Sequence, residues 1–183
     1  MNRSLEKKVL ENFDFLRAFG LEPDTTNLRW VDFQNEAVVV RVGFDVGRSY
    51  EVDVWVGRRG AGELYSLQEI LHMETGCSPR AFLASSDHAV DLGLRSMAQQ
   101  LRERCPRLLE ETAGEFERLA KHRRSMAGQD AQQRALKRAL VKAQEEWRAQ
   151  NFQAVVEALT PFEERLSESE RLRLGLARKR VKR

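Results

Sequence analysis

The chain has 183 residues, 42% of them hydrophobic and 32% charged, with 31 Lys+Arg against 28 Asp+Glu and a formal net charge of +3. That length suits one globular domain or two small ones. The hydrophobic fraction excludes a disordered chain, and no apolar run nears the 18 or so residues of a membrane span. The last thirteen residues, from Arg171, hold seven Lys/Arg and no acid, which leaves 24 basic and 28 acidic residues in 1–170, a body of net −4. The basic pI therefore belongs to a tail, which argues against nucleic-acid binding over the whole surface.

Ser4 is followed by Leu5, Val9, Leu10, Phe13, Leu16, Ala18 and Phe19 at three- and four-residue spacing. This predicts a first helix over 4–19, with Ser4 as N-cap and Gly20 as its stop. The segment Leu21 to Asn27, with Pro23 and two threonines, reads as turn chemistry. The period then changes to two and predicts strands at about 28–33, 36–46 and 49–57. Short connections at Gln34-Asn35 and Val46-Gly47-Arg48 make them an antiparallel meander. Val38, Val40, Val42 and Phe44 share one face of the middle strand, and Tyr50, Val52, Val54 and Val56 one face of the third; the first helix is expected to pack there. The opposite face takes Arg41, Gly43, Asp45, Glu51, Asp53 and Trp55, joined by Trp30 and Asp32.

A flexible loop, Arg58 to Glu63, leads to a short helix with Ser66 as N-cap and Glu69 three places on, a capping-box spacing. Gly76 and Pro79 end it. From Ser85 onward the chain reads as helix. Val90, Leu94, Met97, Ala98 and Leu101 stripe the segment 87–104, and Pro106 opens the next, with Leu108, Leu109, Ala113, Phe116, Leu119 and Ala120. After a break at Gly128, helices are predicted over 131–150, 152–166 and 169–180. A seam lies between Arg123 and Gln129. The stretch Ala139 to Ala158, with Trp147 and Asn151-Phe152, resembles one helical hairpin of the tetratricopeptide kind, with no second copy at a fixed period. The fold class is α+β: a helix, a three-stranded antiparallel meander and a short helix in 1–78, then an all-helical bundle with a basic tail in 79–183, as two domains or one.

Catalytic chemistry finds little footing. His72, His88 and His122 fall in separate helices or helix starts, with no metal-ligand spacing. His72 and Cys77, five apart across a helix end, read as a surface histidine and a buried cysteine. Gly57-Arg-Arg-Gly-Ala-Gly lacks the features of a phosphate-binding loop, although Arg58 and Arg59 offer an anion two adjacent cations. The pairs Glu110-Glu111, Glu145-Glu146 and Glu163-Glu164 point about 100° apart on helices and read as solvated faces. We therefore expect no enzyme, no catalytic residue, no metal and no cofactor. The N-terminus has no apolar stretch of the signal-peptide kind, and two cysteines without partner spacing read as reduced thiols, so the expected compartment is the cytoplasm.

The polar sheet face is the strongest lead. Trp30 and Trp55 among Asp32, Arg41, Glu51 and Asp53 have the composition of an interface hot spot, aromatic anchors ringed by charge. The competing expectation is that C-terminal helices cover this face and the tryptophans are core. The tail offers a second contact: Arg178, Lys179, Arg180, Lys182 and Arg183 lose apolar content, are expected to fray, and suit weak, salt-sensitive binding to nucleic acid. The same cations also complement a helix C-terminus. No aromatic residue interleaves them for base stacking.

Arg41-Val-Gly-Phe-Asp-Val-Gly-Arg-Ser-Tyr-Glu-Val-Asp-Val-Trp-Val-Gly, followed by Tyr65-Ser-Leu-Gln-Glu-Ile-Leu, resembles a bacterial pattern of leading helix, small meander and a helix opening Tyr-Ser-Leu. It is similar to that of immunity-like proteins encoded beside polymorphic toxins, over roughly a third of this chain from Phe15 to Leu71. The resemblance implies a non-enzymatic cytoplasmic protein that binds and occludes a protein partner, often a toxin domain. It implies no role for any single residue.

Overall fold

A computed structural model describes residues 3–27, 29–44, 51–77, 82–83 and 86–182. Helix α1 spans Arg3–Asn12, so Ser4 stands inside its first turn instead of capping it. From Asp14 to Phe19 the chain tightens to a 3-10 helix. A three-residue repeat stacks i on i+3, which directs Phe13 and Leu16, both fully buried, and the partly buried Phe19 toward one core. Gly20 stops this turn as expected, at φ +73°, its N–H donating to the carbonyls of Arg17 and Leu16.

Six strands follow, β1 (Glu22–Asp24), β2 (Trp30–Gln34), β3 (Val38–Phe44), β4 (Glu51–Arg58), β5 (Tyr65–Ser66) and β6 (Phe82–Leu83), all paired antiparallel. Their order is β1-β2-β3-β4-β5, with β6 also on β4. The three-stranded meander is thus the centre of a larger sheet. β1 forms where turn chemistry was expected, with Pro23 opposite Phe33 on the edge strand, the position in a sheet that tolerates a residue without an N–H. β1, β5 and β6 are each three residues or fewer, too short to show a period. Leu28, Asp45, the connection Val46-Gly47-Arg48, Tyr50, Pro79 and Ser85 lie outside the described residues.

The face assignment holds for the described side chains of β2 to β4; that of Phe44 lies outside them. Val31, Phe33, Val38, Val40, Val42, Val52, Val54 and Val56 are at most 1% exposed. Helix α2 (Leu67–Thr75) starts on the expected capping box and ends at Gly76, φ +70°. The stripe on α3 (Asp87–Arg104) packs into the same core, as do Leu108 and Leu109 of α4 (Pro106–Leu109) and Phe116 and Leu119 of α5 (Glu115–Arg148). The helix opened by Pro106 stops after one turn, and Glu111 at φ +51° and Gly114 at φ +88° redirect the chain into α5.

The first compact unit is therefore Met1–Arg123 and the second Arg124–Arg183. This differs from an expected boundary at 78/79 and falls at the seam beginning at Arg123. Composition turns helical after 78, but α3 completes the core of the sheet, so the packing does not break there. Gly128 does not interrupt α5 either. The second unit has its own core of Leu136, Ala143, Val155, Leu159, Leu166, Leu174 and Ala177. These come from α5, α6 (Phe152–Leu159) and α7 (Glu168–Val181), except Leu166, which follows a 3-10 turn at Thr160–Arg165. Asn151 caps α6, its Oδ1 accepting from the N–H of Ala154, and Trp147 meets Phe152 edge-on at 5.4 Å. Among the described residues no helix is long and apolar enough to cross a membrane.

Candidate functional site

Alternation along three strands places the polar side chains in rows across the sheet. Trp30, Gly43 and Asp53 form one row, and Asp32, Arg41, Trp55 and Ser66 the next. Arg41 and Asp32 sit directly opposite and join fork to fork, with Nε to Oδ1 and Nη2 to Oδ2 both 2.8 Å. The hydrogen bonds to Asp32 raise the guanidinium pKa above its ordinary value despite an opposing effect of burial. Arg41 also lies over the ring of Trp30, 4.3 Å from its centroid, a cation–π contact. On the other diagonal the Trp55 indole crosses the backbone at Gly43, where a Cβ would stand 3.1 Å from Cζ3 of that ring. Glycine leaves room for the indole at this close approach.

Trp30, Asp32, Arg41, Asp53 and Trp55 are all partly buried. Neither tryptophan belongs to the residues that build or pad the two hydrophobic cores. Asp53 accepts from the N–H of Val54 at 2.8 Å. Glu51 lies on β4 opposite Leu83, and its side chain is outside the described residues. The sequence brought these residues to one face but gave no sign of the Arg41–Asp32 fork or of the stacking on Trp30, which depend on strand register.

As far as Val181 the tail does not fray. α7 runs to Val181, and Arg178 makes a bidentate pair with Glu163, both bonds 2.7 Å. That contact holds the Glu163 carboxyl below the usual range. Arg180 lies over Phe152 at 4.7 Å and Trp147 at 5.5 Å. Two of the five tail cations are thus engaged within the second unit, Lys179 and Lys182 are exposed, and Arg183 lies outside the described residues. The reason is packing: Leu174 and Ala177 are buried, which fixes the helix that carries the charges.

The remaining candidates resolve in other ways. Arg58 donates to Glu117 at 2.8 Å and Arg59 to the carbonyl of Asn35 at 3.0 Å, so both arginines have partners in the fold. Arg58, Tyr65 and Phe116 line a small cavity of about 150 Å³; the Tyr65 hydroxyl is held by Glu63 at 2.9 Å. Cys77 is exposed and Cys105 buried, while His72 is partly buried, which reverses the reading of His72 and Cys77. His72 instead meets His122 across α2 and α5, Nδ1 to Nε2 at 3.0 Å, a pairing across fifty positions with no local signal. Among the described residues no three His, Cys, Asp or Glu side chains gather as metal ligands. Comparison with family models, with curated proteins and with solved structures found no match to this chain.

Proposed function

We propose that this protein acts by binding another protein, with Trp30, Asp32, Arg41, Asp53 and Trp55 as the contact, and that it is a cytoplasmic immunity-type protein that occludes a basic toxin domain. The observation that carries the reading is the ordered cluster on the sheet: two tryptophans outside the cores, one stacked on an arginine that a facing aspartate already fixes. Tryptophan and arginine dominate interface hot spots. Side chains already held in place lose little entropy when a partner arrives. The first unit contains 17 basic and 20 acidic residues, net −3. A negative body suits a cationic cleft such as a nuclease-type toxin presents, and complementary charge speeds encounter.

The test is direct binding between the purified chain and the protein encoded in the neighbouring reading frame. Trp55→Ala and Trp30→Ala should each weaken binding about tenfold or more, corresponding to about 1.4 kcal/mol, with circular dichroism unchanged. Affinity unaffected by either substitution in a folded chain overturns the proposal.

A further inference from the structure

Helix α7 presents two faces of different character. Leu174 and Ala177 are 1% and 0% exposed in the second core, whereas Leu172 and Leu176 are 66% and 52% exposed. Glu168, Arg171, Leu172, Gly175, Leu176 and Lys179 line a shallow groove along that outer face. They form two rows at four-residue spacing, Glu168-Leu172-Leu176 and Arg171-Gly175-Lys179, each a continuous ridge on a helix. Gly175 sits at the centre of the second row, and a Cβ there would meet open space. Nothing within the chain requires glycine at this position, and glycine weakens a helix interior.

We propose that this face pairs with the same face of a second copy of the chain, with the two α7 helices antiparallel about a two-fold axis midway between Arg173 and Leu174. That axis keeps each side of the face on its own side of the contact: position 168 comes to 179 of the other copy, 172 to 176, and 171 to 175. Glu168 then meets Lys179, Leu172 packs on Leu176, and the aliphatic stem of Arg171 crosses the notch left by Gly175, each contact made twice. Arg171 is already held, its Nη2 donating to the carbonyl of Glu164 at 2.8 Å and its Nε to that of Glu163 at 3.3 Å. The order of charge along α7 selects the direction. Its first turn holds Glu168 and Glu170, its last Arg178, Lys179 and Arg180, so antiparallel pairing sets opposite signs together and parallel pairing sets like signs together. From 168 to 179 the contact runs along about 17 Å of helix, an interface at the small end of the range, so the association is weak and depends on concentration.

Sedimentation velocity on the full chain, from micromolar to millimolar concentration, tests this. The wild-type sedimentation coefficient should climb toward that of a dimer. The double variant Leu172→Glu with Leu176→Glu should stay monomeric throughout. Gly175→Leu should also stay monomeric while its melting temperature holds or rises, because leucine favours the helix but fills the notch; this separates loss of contact from misfolding. Glu168→Lys should weaken association, and adding Lys179→Glu should restore it. A wild-type chain that is monomeric over the whole range, or association that survives Gly175→Leu, overturns the proposal.

Discussion

At the scale of single residues, two glycines of the sheet carry opposite consequences. At Gly43 an added methyl meets a partly exposed indole side chain and no backbone. Gly43→Val should therefore lift Trp55 off the strand, shifting tryptophan fluorescence to longer wavelength with little change in the unfolding midpoint. At Gly57 the added atom would collide with the backbone carbonyl of Glu63. Gly57→Ala should cost about 1–3 kcal/mol, the range for overpacking, read as a lower denaturation midpoint at unchanged slope. The cysteines diverge in the same way. Burial pushes the Cys105 thiol up to about 12, with a smaller contribution from Glu74, while Cys77 is exposed. A colorimetric thiol reagent at neutral pH should consume one thiol per native chain and two in denaturant.

At the scale of elements, Glu69 joins the start of α2 to α5. It closes the capping box on Ser66 and accepts two bonds from Arg123, 2.7 and 2.8 Å. Arg123 also donates to the carbonyl of Leu64 and lies 4.1 Å from the centroid of the Tyr65 ring. Burial works to raise the Glu69 pKa, but the bonds from Arg123 and Ser66 outweigh it, and the carboxyl falls below its ordinary value of 4.5. A depressed carboxylate contributes stability that is complete above the unfolded pKa and is lost as pH falls through the folded one. The melting temperature should accordingly drop as pH falls below about 4.5. Glu69→Gln should start from a lower melting temperature at neutral pH and lose less on acidification; an equal acid dependence in both proteins would remove Glu69 from this role.

At the scale of the whole molecule, charge divides with the packing. The first unit carries 17 basic and 20 acidic residues and the second 14 and 8, so the net +3 resolves into −3 and +6. The fold class was legible because buried apolar residues recur at every second position of β2, β3 and β4 and the helices of both units carry apolar stripes. Register was not. A two-residue connection at Gln34-Asn35 would set Asp32 opposite Ala37. The Asn35 side chain instead accepts from the N–H groups of Ala37 and Val38 and closes a longer turn, so Asp32 faces Arg41. The shift is an even number of residues, which preserves the two faces and explains why the polar face was readable while its central ion pair was not. The packing of α3 into the core of the sheet and the His72–His122 contact rest on distant segments meeting, which leaves no mark on local periodicity.

The claim that function resides in the tryptophan-bearing face of the first unit, and not in the cations of α7, is tested most directly by survival. If the protein of the neighbouring reading frame is the toxin proposed, cells co-expressing it with this chain should be protected by the wild type and by Lys179→Glu with Lys182→Glu, and not by Trp30→Ala with Trp55→Ala at equal expression. Protection retained by the tryptophan variant and lost with the lysine variant would contradict the account.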